Sequence, residues 1–390
     1  MSKVGADDRL RILVSGRIGG TPFQGGATWA VLQYLLGFRE LGHQVWFVES
    51  IPVEQLTPIG TDVARSSNAS YCERVLSDVD LADRWALVVE GTSQTVGVDY
   101  STLAAARFDV HVNLSGCLDH PELTDRIPVR IYVDMDPAFT QVWHEADGHD
   151  LGLGDHTHFA TVGWGIATPS CPVPTAGFRW YHTLPPVVLG RWTADGGITR
   201  HAMTTVANWR SYGSVEWEGV RYGQRAHSFR AFFDLPLATD VALAPALAID
   251  PAEHADLAAL ARGGWSLIDP ATVASTPGAF RDFVRSSRGE LSIAKSGYVA
   301  SNSGWFSDRS ACYLASGRPV VAQDTGFGRR LPTGEGLLAF STLEEAVEAL
   351  EQVDADYDRH AAAARRIAGD ELDSANVLGA LLDHAGVGCG

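Results

Sequence analysis

Residues 10–48 read LRILVSGRIGGTPFQGGATWAVLQYLLGFRELGHQVWFV. A short apolar run at residues 10–14 is followed by a glycine-rich stretch, 16–26, and then by apolar residues at helical spacing. Gly42 ends the helical pattern, and a second apolar run covers residues 45–48. Strand, loop, helix and strand in immediate succession are typical of a parallel βαβ unit. These residues therefore predict an α/β fold built on a parallel sheet.

The same alternation returns after a different middle segment. Residues 148–191 are rich in Gly, Pro, Thr and His, and their prolines are expected to interrupt regular elements. Candidate strands and helices then alternate again, at 203–206, 228–233, 241–249, 252–262, 265–268, 310–315, 319–322 and 342–353. Two such series predict two Rossmann-like domains, residues 1–195 and 196–365, followed by a helical tail at 366–390.

Composition narrows the class of protein. The 390 residues include 30 Lys and Arg against 47 Asp and Glu, a net charge of −17, which argues against a nucleic-acid partner. No run reaches the roughly 18 apolar residues of a membrane span, and residues 1–9 lack the apolar run of a signal peptide. Five cysteines without a C-x-x-C pair favour a reducing compartment. We expect a cytoplasmic protein, with a homodimer as one candidate assembly.

Residues 296–327, SGYVASNSGWFSDRSACYLASGRPVVAQDTGF, contain a candidate anion site. A small polar loop is followed by Ser307, which can cap a helix whose first turn holds Asp308 and Arg309. Free amides at the helix start, together with Arg309 and the nearby Lys295, could hold a diphosphate. The alternative is an ordinary capped helix with Arg309 in a salt bridge.

Several short motifs resemble those of GT-B glycosyltransferases. Residues 314–322, LASGRPVVA, resemble the helix–Gly–x–Pro–strand signature of that superfamily. So do Gly25-Gly26 with LGHQV at 41–45, and the tail at 364–368 and 377–382. The resemblance implies two Rossmann-like domains with parallel sheets facing across a cleft. The N-terminal domain would bind the acceptor, the C-terminal domain an NDP-sugar, and residues 366–390 would cross back to the N-terminal domain.

The resemblance also implies a set of donor-binding residues. They are Gly19, Gly20, Thr21, Asn208, Trp209, Arg210, Lys295, Ser303, Gly304, Trp305, Phe306, Ser307, Asp308 and Arg309. One feature of glycosyltransferase family 4 is missing, because the positions of its Glu-x7-Glu motif fall on Gly304 and Cys312. Asp308 is the candidate replacement. The loss leaves open which nucleotide is bound and whether the anomer is retained or inverted.

Candidate catalytic groups follow predicted strands. In Asp134-Met135-Asp136-Pro137, one aspartate could act as the base on an acceptor hydroxyl, or the pair could form a strand-end turn. Such a D-x-D can also chelate a metal ion in GT-A enzymes, but the two-half layout opposes that interpretation. His120 is a further candidate base. A zinc site is a weaker alternative for the cluster of His144, Glu145, Asp147, His149, Asp150, Asp155, His156 and His158, which lacks a helical ligand pair.

The sequence therefore predicts transfer of a sugar from an NDP-sugar to a hydroxyl or amine of a small-molecule acceptor, without metal or other cofactor. A nucleotide-sugar epimerase and a non-catalytic sugar-binding protein are the alternatives on the same fold. A nicotinamide-dependent dehydrogenase is weakly supported, because residues 16–26 lack G-x-G-x-x-G and Glu49 matches a ribose-binding acid only loosely. Trp164, Trp180, Trp192 and Trp209 are expected near the cleft or in the packed interior.

Overall fold

The computed structural model describes residues 9–146, 148–149, 151–193 and 197–388. The first half, residues 9–193 with those gaps, is built on one large sheet. Its strands are β1 (Arg11–Ser15), β2 (Gln44–Ile51), β3 (Trp85–Val89), β4 (Thr95–Gly97), β5 (Val110–Leu114), β6 (Val129–Asp134), β7 (His158–Thr161) and β8 (Trp180–His182). Their order is β4-β3-β2-β1-β5-β6-β7-β8, parallel throughout except for β4. Parallel strands buried on both faces account for the apolar runs that the sequence shows here.

Among the described residues of this half, the helices that cover the sheet are α1 (Gly25–Glu40), α2 (Ser67–Ser77), α3 (Tyr100–Ala105), α4 (Pro121–Thr124) and α5 (Phe139–Ala146). The βαβ unit predicted from residues 10–48 is present as β1, α1 and β2, with β1 and β2 in parallel register. The middle segment departs from its prediction, because β7 and β8 extend the large sheet into it. Its prolines lie in the turns and loops that surround these two short strands.

The second half, residues 197–388, carries a smaller parallel sheet. The described strands of this half are β9 (Arg200–Thr204), β10 (Val206–Asn208), β11 (Val215–Trp217), β12 (Val220–Tyr222), β13 (Ala246–Ala248), β14 (Ser287–Ser292), β15 (Val320–Gln323) and β16 (Leu337–Phe340). Four of them form a sheet in the order β16-β15-β14-β9, β10 pairs with β13, and β11 with β12 makes an antiparallel hairpin. The predicted strand at 241–249 is shortened to β13, which starts immediately after Pro245, a residue without an amide donor.

Ten helices complete the described part of this half. They are α6 (Arg225–Phe229), α7 (Leu235–Ala238), α8 (His254–Arg262), α9 (Pro270–Val273), α10 (Pro277–Ser286), α11 (Ser296–Ser301), α12 (Asp308–Ala315), α13 (Leu343–Ala355), α14 (Tyr357–Glu371) and α15 (Ser374–His384). At residues 265–268 a single bridge from Ile268 to Ala246 replaces the predicted strand. The last helix, α15, lies against α1 of the first half, where a Cβ on Gly37 would come within 2.5 Å of Leu378.

The two halves meet in a packed junction. One apolar cluster combines Phe139 and Trp180 of the first half with Tyr222 and Tyr298 of the second. The Gly165 amide donates to the Ser303 carbonyl at 2.7 Å, and Gly163 forms a bridge with Trp305. The predicted division at residue 195 falls within 194–196, outside the described residues, and the assignment of domains stays a prediction.

Candidate active site

A cavity of about 920 Å³ lies between the two halves. Parallel α/β sheets bind ligands in the crevice beyond the carboxyl ends of their strands, and this cavity has that position. The predicted site residues that line it are Thr21, Asp136, Asn208, Lys295, Trp305, Ser307, Asp308 and Arg309. One wall, on the second half, is apolar: Leu247, Ile249, Leu257, Leu267 and Ile268. The cavity thus has an apolar wall and a polar region that contains Asp136 and Lys295, which we call the floor.

On the floor, Asp136 of the first half is bound by three donors of the second half. Lys295 Nζ lies 2.9 Å from Asp136 Oδ1, and the hydroxyls of Tyr212 and Tyr298 donate to the same oxygen. The Lys295 ammonium also lies 3.9 Å from the centroid of the Tyr212 ring, with the rings of Tyr298 and Phe139 farther out. We call Asp136, Lys295, Tyr212 and Tyr298 the latch, because the cluster ties the two halves together.

The latch keeps Asp136 ionised. Burial alone would raise the pKa of this carboxyl, but the Lys295 ammonium and the two tyrosine hydroxyls outweigh burial and hold the pKa below its ordinary value. The other aspartate of the pair, Asp134, is fully buried and accepts hydrogen bonds from Thr140, Gln141 and Thr161. Asp134 also accepts from the Asp136 amide at 3.0 Å, so it orients the loop that presents Asp136 and does not line the cavity.

The side chain of Arg309 binds to residues of its own half. It forms an ion pair with the fully buried Glu290, donates to the Val206 carbonyl at 3.0 Å and donates to Ser292 Oγ at 2.9 Å. The Ser307 hydroxyl accepts from the Arg309 amide at 3.2 Å, as the predicted cap requires. The Arg309 guanidinium is therefore in a salt bridge, which was the alternative interpretation of the sequence, although Arg309 borders the cavity. Beside it, burial raises the pKa of Asp308.

Arg225, at the start of α6, is a cavity-lining cation that the sequence analysis missed. Arg225 is 6% exposed, its guanidinium donates to the Ile293 carbonyl, and among the described residues it forms no ion pair. Its Nε has no hydrogen-bond partner in the part of the chain that the structure describes. Burial, followed by the charge of Arg309, lowers the pKa of Arg225 to about 9. A buried cation with no carboxylate within ion-pair distance is the electrostatic counterpart of an anionic ligand.

No local sequence signal marks Arg225. The hairpin of β11 and β12 separates it from the end of β10, where the sequence analysis placed the donor loop. At that loop Asn208 lines the cavity, but Trp209 is buried and donates to Asp256 at 3.0 Å. Arg210 pairs with Glu253 and does not border the cavity.

The polar loop at 302–306 is largely a junction between the halves. Ser303 is fully buried, and Gly304 has φ +72° and room for no side chain, because a Cβ would lie 2.7 Å from the Gly165 amide nitrogen. Phe306 is in the core, whereas Trp305 faces the cavity and stacks on Tyr298 at 4.2 Å. The loop therefore shapes the cavity mainly through Trp305.

Further residues that were predicted for the site do not line this cavity. His120 is 9% exposed, contacts the Thr92 carbonyl at 3.3 Å and borders a separate small cavity with His111 and His156. The amides of Gly19 and Gly20 donate to the buried Glu49 carboxylate, and neither glycine lines the main cavity. Three of the four expected cleft tryptophans, Trp180, Trp192 and Trp209, are buried in the packed interior.

The described residues contain no group of three or more His, Cys, Asp or Glu side chains arranged to hold a metal ion. Asp147 and Asp150 of the proposed cluster lie outside the described residues. At the Glu-x7-Glu positions, Gly304 meets the first half and the Cys312 thiol lies 3.3 Å from the Asp308 carbonyl, so neither presents a side chain to the cavity. No described helix is long and apolar enough to cross a membrane.

No family model matches the chain, and no curated protein matches it in sequence. Solved structures do match. The glycosyltransferase AviGT4, involved in avilamycin A biosynthesis, is 14% identical over 96% of this chain and 97% of its own, with a TM-score of 0.56. HepE from Anabaena, solved with UDP and glucose, is 11% identical over 97% of this chain and 100% of its own, with a TM-score of 0.58.

An α-glucosyltransferase solved with UDP and a 13-mer DNA is 12% identical over 97% of this chain and 99% of its own, with a TM-score of 0.51. At these identities the likeness establishes the fold: the chain has the GT-B fold, two Rossmann-like domains facing across a cleft. The fold class predicted from the sequence is thereby confirmed.

Proposed function

We propose that this protein is a glycosyltransferase that moves a sugar from a nucleoside diphosphate sugar to a hydroxyl or amine of a small-molecule acceptor. The observation that carries the proposal is Arg225, a buried guanidinium on the wall of the interdomain cavity that forms no ion pair among the described residues. A diphosphate supplies the missing negative charge through charge-assisted hydrogen bonds. Fold alone would not define an activity, so the proposal depends on this site.

The donor has a matching place on the second half. The apolar wall at Leu247, Ile249 and Leu267 suits a nucleobase, and the diphosphate would lie between this wall and Arg225. Ser307 and Asp308, at the start of α12, line the cavity beside this position. UDP is the first nucleotide to test, because HepE and the α-glucosyltransferase were solved with it.

The chemistry would take place on the polar floor. Arg225 would stabilise the charge that develops on the leaving diphosphate. Asp136 Oδ1 is filled by the latch, and the other carboxylate oxygen, Oδ2, takes none of those bonds. We propose that Oδ2 receives the acceptor proton or orients the acceptor hydroxyl. The net charge of −17 favours a small acceptor over DNA, because phosphate backbones bind to basic surfaces.

Calorimetric titration with UDP, GDP, TDP and ADP tests the donor site. Arg225→Gln should weaken binding of the preferred nucleotide by about tenfold or more, the scale of a lost charge-assisted bond. Arg210→Gln is the matched control, because Arg210 lies in the same half, pairs with Glu253 and does not border the cavity. Equal affinities for both variants would remove Arg225 from the site, and no binding of any nucleotide would remove the donor assignment.

Turnover separates the remaining alternatives. Release of UDP from UDP-glucose that increases with an added hydroxyl or amine acceptor supports transfer. Conversion of the UDP-sugar to another UDP-sugar without acceptor would favour the epimerase. Nucleotide binding with no release under any acceptor would favour a non-catalytic protein.

A further inference from the structure

Glu49, on β2, is a buried carboxylate with an unusual set of partners. It is 0% exposed, and it accepts from three successive backbone amides: Ile18 at 2.9 Å, Gly19 at 2.7 Å and Gly20 at 2.6 Å. Consecutive amides that converge in this way form a nest, the concave arrangement that proteins use to bind anions. Here the anion is a side chain of the protein itself.

At two of these positions a side chain would displace its neighbours. A Cβ on Gly19 would lie 2.9 Å from the Cys72 thiol, and one on Gly20 would lie 2.8 Å from a Glu49 oxygen. The Gly19 carbonyl accepts from Asn68 Nδ2 at 2.8 Å. The loop is therefore bound to Glu49 through its amides and to α2 through a carbonyl.

This loop continues directly into the cavity. Thr21, Phe23 and Gln24 line the side of the cavity that belongs to the first half. Immediately afterwards the Gly25 amide donates to the Ala274 carbonyl of the second half at 2.7 Å. The position of this wall thus depends on two anchors, one on each side of residues 21–24, and Glu49 provides the anchor in the first half.

We propose that Glu49 is a positioning residue: its ionised carboxylate occupies the nest of residues 18–20 and thereby holds residues 21–24 in the form that accepts the acceptor and the transferred sugar. The inference rests on the proposed transferase function and deepens it. This role of Glu49 requires no nicotinamide cofactor, because the carboxylate binds the amides of the protein's own loop.

The same geometry makes the site sensitive to pH. Burial raises the pKa of Glu49 to about 7, against the three amides and the Arg17 charge that lower it. Among the described residues, the other titratable groups facing it are the Cys72 and Cys117 thiols, on α2 and on the loop after β5, and burial raises the pKa of both thiols. Protonation replaces a charge-assisted nest by weaker bonds, so turnover should fall as the pH drops below 7.

The first test uses the unaltered protein. Amide chemical shifts of Gly19 and Gly20, followed by NMR from pH 5.5 to 8.5, should titrate together with the acidic limb of the kcat/KM profile for UDP-glucose. Amide shifts that stay constant over this range would overturn the proposal. So would a titration of the amides that activity does not follow.

The second test is Glu49→Gln, which keeps the shape but must turn an NH₂ group toward a backbone N–H. At pH 8 the variant should lose about tenfold or more in kcat/KM, the scale of one unsatisfied buried donor. It should also lose the acidic limb near pH 7, while UDP affinity stays within about twofold, because the nucleotide site is on the other half. Glu122→Gln, an exposed side chain of α4, is the control and should match the wild type.

The outcomes separate the two proposals. If the wild type binds no nucleotide, the proposed function fails. If UDP binds and sugar is transferred but Glu49→Gln keeps the wild-type rate and pH profile, the positioning role fails alone. Should Glu49→Gln not fold, the amide titration and the wild-type profile still decide the question.

Discussion

Replacement of Asp136 by asparagine tests whether the latch holds the two halves together. The change removes one charge but keeps a carbonyl oxygen that can accept from Tyr212 and Tyr298. Lys295 is then left 12% exposed among aromatic rings without its counter-ion. We expect a loss of about 2 kcal/mol in the free energy of unfolding, because breaking a buried pair exposes the desolvation cost of the remaining charge.

The magnitude follows from the geometry. At 2.9 Å and an effective dielectric constant of about 20, the attraction of the two charges is about 6 kcal/mol. Desolvation of Lys295 offsets a large part of this attraction. Removal of one partner of a fully buried pair costs about 3–5 kcal/mol, and the Asp136 side chain is 32% exposed, so the expected loss lies below that range.

The assay is urea denaturation followed by tryptophan fluorescence, with Asp354→Asn as the control. Asp354 also pairs with an arginine, Arg288, but its side chain is 55% exposed, and its loss should cost about 0.5 kcal/mol or less. A double-mutant cycle with Lys295→Met isolates the coupling. Equal costs for the two asparagine variants, or no coupling between positions 136 and 295, would refute the latch.

The latch should also make stability depend on pH. Because the pKa of Asp136 is lowered in the folded protein, the contribution of Asp136 to the free energy of unfolding should be complete above the ordinary pKa of aspartate and vanish as the pH falls.

Two further predictions concern the junction and the interior. Gly165→Ala should destabilise the protein by about 2 kcal/mol, since the new Cβ would lie 2.3 Å from the Asn302 carbonyl oxygen; Gly190→Ala, with no atom within 4 Å, is the control in the same denaturation assay. His111 is buried, and burial lowers its pKa, so the folded protein disfavours the charged imidazole and stability should fall as the pH drops below about 6.5. Melting temperatures of the wild type and His111→Gln between pH 5 and 8 should differ in slope, and parallel curves would contradict this assignment.

Local sequence patterns determined much of the fold. The unit of β1, α1 and β2 follows from apolar spacing and glycine placement within one stretch, which are short-range properties of the chain. Helix α12 with its Ser307 cap, and the strand β15 after Pro319, were predictable for the same reason. The α/β class could therefore be predicted from these patterns, whereas the cleft and lining residues such as Trp305 were predicted from the resemblance to GT-B glycosyltransferases.

Only the tertiary structure decided what each polar residue does, because partners distant in sequence set charge and hydrogen bonding. The sequence left open whether Arg309 binds a ligand or forms a salt bridge, and in the structure it pairs with Glu290 on β14. Arg225, which the hairpin of β11 and β12 separates from the predicted donor loop, forms no ion pair among the described residues. Glu49 matched a ribose-binding acid only loosely in the sequence, and the tertiary structure directs its carboxylate onto the amides of residues 18–20. Burial and pairing depend on contacts between elements that no local pattern records, and those contacts made the site.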